Sequence, residues 1–392
     1  MIPADEIEVL LGPLGDFAQV HERALRRWGP DVIDMSYPNP LVHRDPRAHR
    51  LLAGTAAAMS PDKLQYTPFG GATLVRRKVA AALSRQTGLR YGYRDVALTP
   101  GATAALHIAI SALFQPGDEL LLVTPCWMDY PIYIREHGLR YRTVPSGNDK
   151  RLDIAAIAQA WGATTAGLII SQPNCPTGVL YTKDELTELA VLLSSAGQGR
   201  DRPPVLISDE VHRHQNWGDA EFTGPATVYP DTVTIYSFGK AWSMQGQRTG
   251  YLALSPRLQA HDHFTAAVEQ RLRVSGFCAP TALMQQVAGD LSGLEPGLGS
   301  LGTDQARLRT RLADQGYTVI PAQGTTFLYA RSPHSDEVAF TTHLALEHGL
   351  IAMPSRVFHE NGHFRLALNV TDHDLDEAAV RLGAARRTMM SL

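Results

Sequence analysis

Through the first two thirds of the chain, short unbroken apolar runs alternate with stretches of helical periodicity. Val96-Ala97-Leu98 is followed by a helical pattern from Ala102 to Leu113. Glu119 to Thr124 reads Glu-Leu-Leu-Leu-Val-Thr; Ala166 to Ser171, Val205 to Ser208 and Val233 to Tyr236 are runs of the same kind. A strand covered on one face alternates apolar and polar residues, whereas a strand covered on both is apolar throughout. The pattern predicts an α/β domain at roughly 46–275: a mostly parallel sheet with helices on both faces.

The last third differs. Phe327 to Ala330 and Phe364 to Leu368 read as strands, with helical patterns between and after them, and Thr371 or Asp372 caps a final helix. This predicts a smaller α+β domain at 276–392. Residues 1–45 hold one amphipathic helical pattern and a Pro-broken stretch, Tyr37-Pro38-Asn39-Pro40, and are expected to join the small domain. Gly293 to Gly302 is Gly-rich and reads as a loop. Gly297-Leu298-Gly299-Ser300-Leu301-Gly302 matches GxGxxG, but Leu294-Glu295-Pro296 before it is no strand, which removes the context a dinucleotide site needs.

Composition narrows the function classes. A length of 392 residues suits two or three domains. The net charge of −3 argues against a large basic surface for nucleic acid. Cys126, Cys175 and Cys278 stand far apart, without the CxxC spacing of a thiol zinc site, which suits a reducing compartment. Asp5, Glu6 and Glu8 precede any basic residue, and no apolar run nears 18 residues. Neither a secretory signal nor a membrane span is expected, and the expected location is cytoplasmic.

Chemistry-bearing residues recur where predicted strands end, the edge at which open α/β sheets bind ligands. Gly101-Ala102-Thr103 opens a helix, where free backbone N–H groups and the helix dipole favour an anion. Trp127 follows the strand ending at Thr124 and can stack on a flat ring. Ser171 to Gly178 makes a rigid Pro- and Gly-rich turn after another strand. Asp209, in Ser208-Asp209-Glu210-Val211-His212, can hold a protonated ring nitrogen, cap a helix or bind a metal; His212 and His214 share neither a helix face nor a closed ligand set, so no metal is expected. Ser237-Phe238-Gly239-Lys240 follows a fourth strand, and Arg248 comes eight residues later. A lysine held near other cations loses its proton easily and becomes a nucleophile toward carbonyls. Together these groups suit a phosphorylated aromatic aldehyde with a ring nitrogen, which is pyridoxal 5′-phosphate.

From about Tyr66 to Arg365 the sequence resembles the class I/II aminotransferase family of pyridoxal-phosphate enzymes, most specifically in Ser237-Phe238-Gly239-Lys240 through Arg248-Thr249-Gly250-Tyr251. The resemblance implies an aspartate aminotransferase-like fold and ping-pong transamination of an α-amino acid through a Lys240 aldimine. Lys240 is then the Schiff-base lysine and proton shuttle, Asp209 the partner of the pyridine nitrogen and Trp127 the stacking ring. Gly101, Ala102, Thr103, Ser237 and Arg248 hold the phosphate. Tyr66 reaches the phosphate of a neighbouring subunit, which implies a homodimer. Arg365 grips the substrate α-carboxylate, and Tyr37 and Asn39 shape the side-chain pocket.

Two positions depart from the family. Cys175 stands where Asn is usual, and His212 where a tyrosine is usual; both normally donate to the phenolic oxygen of the cofactor. A thiol is the weaker donor, and loss of these donors would raise the aldimine pKa. Asp-Glu-x-His also resembles the cystathionine β-lyase-like C–S lyases, so the alternative is a β-lyase, or a decarboxylating or oxidising enzyme of secondary metabolism, on the same fold. A third class, the ligand-sensing domain of a transcription regulator, needs a DNA-binding module ahead of it, and residues 1–45 are neither basic nor helix-turn-helix-like.

Overall fold

The computed structural model describes residues 2–39, 45–219 and 221–389. Pro40, the end of the Pro-broken stretch, lies outside the described residues. Seven strands form the large sheet: β1 (Val96–Thr99), β2 (Glu119–Thr124), β3 (Arg140–Pro145), β4 (Thr165–Ser171), β5 (Val205–Asp209), β6 (Thr232–Ser237) and β7 (Gly250–Leu254). Their order is β1-β7-β6-β5-β4-β2-β3. Neighbours from β6 across to β3 run parallel, and β7 is antiparallel to both β6 and β1.

The unbroken apolar runs have a direct cause. Successive side chains of a strand point to opposite faces. Leu120, Leu122, Ile169 and Ile207 pack on the side of the helix Ala102–Leu113. Leu121, Val123, Leu168, Ile170 and Leu206 pack on the other, with Leu186, Leu189 and Leu193 of the helix Lys183–Ala196. Two strands are absent from the sequence pattern. β3 is the exposed one of the two edge strands, so Arg140-Tyr141-Arg142-Thr143 carries no apolar run. Lysine- or arginine-rich edges of this kind are a common guard against edge-to-edge pairing. β7 begins inside the Arg248 to Tyr251 motif, which reads first as chemistry.

The C-terminal part holds a three-stranded antiparallel sheet, Met353–Pro354, His363–Ala367 and Phe327–Arg331. Thr371, not Asp372, caps the final helix: its Oγ1 accepts from the Asp374 N–H at 3.1 Å. The long helix Ala4–Trp28 leads into Ile33–Asp34, which pairs with Leu350–Ile351. Met35 then bridges two segments, donating to Ile351 O at 3.0 Å and accepting from the Ala367 N–H at 2.6 Å. The helix Ala282–Leu291 packs instead on Val75, Val79 and Leu83 of the helix Thr73–Thr87. Gly293 to Gly302 follows that helix, so no strand precedes the GxGxxG match.

The Ser171 to Gly178 turn is clamped to the C-terminal part. Gly178 has φ +76°, and a Cβ there would stand 2.5 Å from Gly324 O. Only glycine permits that approach, which places Cys175 beside Phe327.

Candidate active site

A cavity of about 380 Å³ opens at the carboxyl ends of the parallel strands. Ala102 and Thr103 line it from the helix after β1, Trp127 from beyond β2, Cys175 from beyond β4, and Asp209 and His212 from β5 onward. Ser237 ends β6, Lys240 follows it in the short helix Phe238–Trp242, and Arg248 precedes β7. Phe327 and Arg365 close the cavity from the antiparallel sheet, and Tyr37 from the N-terminal segment. Residues scattered over the whole sequence thus converge because parallel strands all end at one edge.

Asp209 is buried, and burial pushes its carboxyl above the usual range. Two donors oppose this: Tyr130 Oη at 2.7 Å from Oδ2, and the Val211 N–H at 3.2 Å from Oδ1. The Lys240 amine is lowered to about 8, first by burial and further by Arg365 and Arg248, against the pull of Cys175 and Asp209. At neutral pH an amine so placed is far nearer its reactive form than a surface lysine.

The anion-binding corner depends on one glycine. Gly101 has φ +86°, and a Cβ there would come within 2.9 Å of Arg248 Nη2. Without that Cβ, the guanidinium lies against the start of the helix Ala102–Leu113. Ser237 caps the short helix Phe238–Trp242 through the Gly239 N–H, at 3.2 Å. Trp127 stands edge-on to Tyr130, ring centroids 5.4 Å apart.

Arg365 is 2% exposed. It is stacked between Phe327 and Phe358, 4.1 and 4.6 Å from the ring centroids. Nη2 donates to Ser36 O at 2.7 Å, Nη1 lies 4.0 Å from Cys175 Sγ, and Nε is buried with no partner among the described residues. A buried guanidinium with unused donors is a site for an anion. Burial pushes the Cys175 thiol up, so it stays protonated at neutral pH. Asn174 is turned away, its Oδ1 accepting from Thr177 Oγ1 at 2.8 Å and its Nδ2 donating to Tyr181 Oη at 3.1 Å.

Three of the residues singled out in the sequence do not line the cavity. Gly101 sits just behind it, against Arg248. Tyr66 is fully exposed. Asn39 is exposed as well, and its carbonyl accepts from Asn369 Nδ2 at 3.4 Å. Tyr37 does line the cavity, edge-on to Phe17 and His21 at 6.0 and 5.8 Å. His214 is directed to Glu295, 3.4 Å away.

Sequence reasoning missed Tyr130, Gln215 and Asp129. Tyr130 stands three residues after Trp127, a spacing that carried no meaning until a helix began there. Gln215 stands three residues after His212, whose Nδ1 is 2.6 Å from Gln215 Oε1. Asp129 lines the cavity with a carboxyl raised by burial.

An α/β sheet with an activated lysine, an anion corner and a buried guanidinium in one cavity is an enzyme's framework. The sequence model of the family "Aminotransferase class I and II" matches residues 31–382, and the chain belongs to that family. Its members are generally dependent on pyridoxal phosphate. A probable aspartate/prephenate aminotransferase of Thermus aquaticus is 27% identical over 382 residues, spanning 93% of this chain and 95% of the relative. A second, from Aquifex aeolicus, is 31% identical over 202 residues, half of each chain. The crystal structure of an amino transferase from Eubacterium rectale covers 99% of both chains with a TM-score of 0.91 at 21% identity, which shows the shared fold.

Proposed function

We propose that the protein is a pyridoxal-phosphate-dependent aminotransferase acting on an α-amino acid, in two half-reactions that share one lysine. One observation carries this reading: the lowered Lys240 amine lines a single cavity with Asp209, Arg248 and Arg365. The donor set fits the cofactor. Asp209 can hold the pyridine nitrogen, Trp127 can cover the ring, and Ala102, Thr103, Ser237 and Arg248 can hold the phosphate in the corner that a Cβ at Gly101 would fill. When bound, pyridoxal phosphate supplies an aldehyde to take the amino group and a ring to accept the electron pair left at Cα.

The chain supplies the rest. Arg365 binds the α-carboxylate through the donors it leaves unused. Tyr130, bonded to Asp209, aims that carboxylate and favours its charged form against the effect of burial. With the cofactor bound, Lys240 would take the proton from Cα and deliver it across the nitrogen to the carbon that had been the aldehyde's. Leu14, Tyr37, Met128 and Phe327 form apolar wall, and Asp129 would repel a second carboxylate. The cavity therefore favours an amino acid with an uncharged side chain. Exposure of Tyr66, with Leu64, Phe69 and Leu74 nearby in sequence, supports a homodimer in which Tyr66 serves the neighbouring site. Among the described residues, no helix is long and apolar enough to cross a membrane.

Cys175 and His212 favour a second reading, β-elimination on the same framework. An isotope test separates the two. Incubated with a panel of [¹⁵N]amino acids and S-substituted [¹⁵N]cysteines plus an unlabelled 2-keto acid, the protein is expected to move ¹⁵N into the amino acid made from that keto acid. Release of ¹⁵N as ammonia, with pyruvate, contradicts the first reading and supports the second.

A further inference from the structure

We infer that Gln215 fixes His212 as a hydrogen-bond acceptor toward the phenolic hydroxyl of the bound cofactor, where the family usually places a donor. The inference rests on the cofactor assignment just proposed. Its starting point is the Gln215 amide. Nε2 donates to the Lys240 carbonyl at 3.1 Å, so the amide oxygen is the atom that faces His212 Nδ1, 2.6 Å away. Turning the amide over would set two oxygens against each other at Lys240. An amide oxygen only accepts, so Nδ1 carries the proton, and in a neutral imidazole Nε2 is then a bare lone pair.

Gln215 has little freedom to do otherwise. It is buried, its N–H donates to His212 O at 2.7 Å, and its carbonyl accepts from the Thr325 N–H at 2.7 Å. His212 is 2% exposed, lines the cavity, and has no partner for Nε2 among the described residues. The charged and titratable groups around it are Lys240, Arg365, Asp209 and Cys175, which line the same cavity. Burial first, then Lys240 and Arg365, push the imidazole down to about 3, so it stays neutral at working pH.

The position suits the hydroxyl. His212 stands edge-on to Phe327, ring centroids 5.4 Å apart, and Phe327 also touches Cys175. These residues and Arg365 make one wall; Gly101, Thr103 and Arg248 belong to the phosphate corner. In pyridoxal phosphate the hydroxyl and the phosphate arm flank the aldehyde on opposite edges of the ring. With the phosphate in its corner, the hydroxyl edge is left to the Cys175–His212 wall. A donor there stabilises the phenolate, whereas an acceptor stabilises the phenol and raises its ionisation midpoint.

The test uses the full-length protein, freed of carbonyl cofactor and saturated with pyridoxine 5′-phosphate. That probe has no aldehyde for Lys240 to capture, and its near-ultraviolet band reports the charge on its phenol. The midpoint is expected to fall by about half to one pH unit in His212→Phe, the worth of one hydrogen bond, and further in His212→Tyr, which restores a donor. A rise in His212→Phe, or no change in either variant, overturns the inference. ¹⁵N-histidine spectra of the wild-type protein give an answer that needs no variant to fold: a His212 proton on Nδ1 is expected, and one on Nε2 overturns it. Failure of the probe to bind at all removes the cofactor assignment and this inference with it. Binding with unmoved midpoints removes this inference alone.

Discussion

Replacing Lys240 with alanine is expected to lower amino-acid turnover by at least about three orders of magnitude, because the substitution removes both the amine that captures the carbonyl and the proton carrier, each a large factor by itself. The bound-cofactor band in the visible should vanish with it. The wild-type protein offers a companion measurement. Only the unprotonated amine attacks an aldehyde, and the Lys240 amine is lowered to about 8 by burial and by Arg365 and Arg248. The rate at which cofactor-free protein captures pyridoxal phosphate should therefore rise about tenfold per pH unit below that value and level off above it. A Lys240→Ala variant that retains turnover would remove the central residue of the account. A capture rate flat from pH 6 to 9 would contradict the cause given for the lowered amine.

Arg365→Leu should separate function from stability. In the structure this guanidinium is stacked between two phenylalanine rings and bonded to one carbonyl, with no partner for Nε among the described residues. Truncating one member of a buried charge pair costs about 2–5 kcal/mol of binding. Since 1.36 kcal/mol is a factor of ten, kcat/KM for amino acids should fall by roughly two to four orders of magnitude. The fold should not suffer comparably. A buried charge is itself costly, and no acidic side chain pairs with Arg365 among the described residues, so an apolar replacement packed against Phe327, Phe358 and Met353 should leave the melting temperature unchanged or higher. A lower melting temperature with kcat/KM intact would make Arg365 a structural residue instead.

Much of this architecture is legible along the chain. The unbroken runs at Glu119, Ala166, Val205 and Val233 mark strands because those strands are covered on both faces. Their ends mark the site because parallel strands deliver their loops to one edge. What stays hidden has physical causes. Strand β3 carries Arg140 and Arg142 because it lies on an exposed edge, where no burial imposes a pattern. The bond from Tyr130 to Asp209 joins residues 79 apart in sequence. The Gln215 clamp on His212 depends on which way one amide faces, and that is decided by the Lys240 carbonyl. Cys175 and His212 can be seen in the sequence as departures from a family pattern, but only the packing shows that Asn174 is occupied elsewhere and cannot stand in.

The most direct measurement is single-turnover spectroscopy. Protein loaded with pyridoxal phosphate would be mixed with a panel of amino acids and S-substituted cysteines, with no keto acid present. The account predicts that one class of amino acid, uncharged in its side chain, converts the cofactor band stoichiometrically to that of pyridoxamine phosphate and releases one keto acid per site. A band that persists while pyruvate and ammonia accumulate would contradict it.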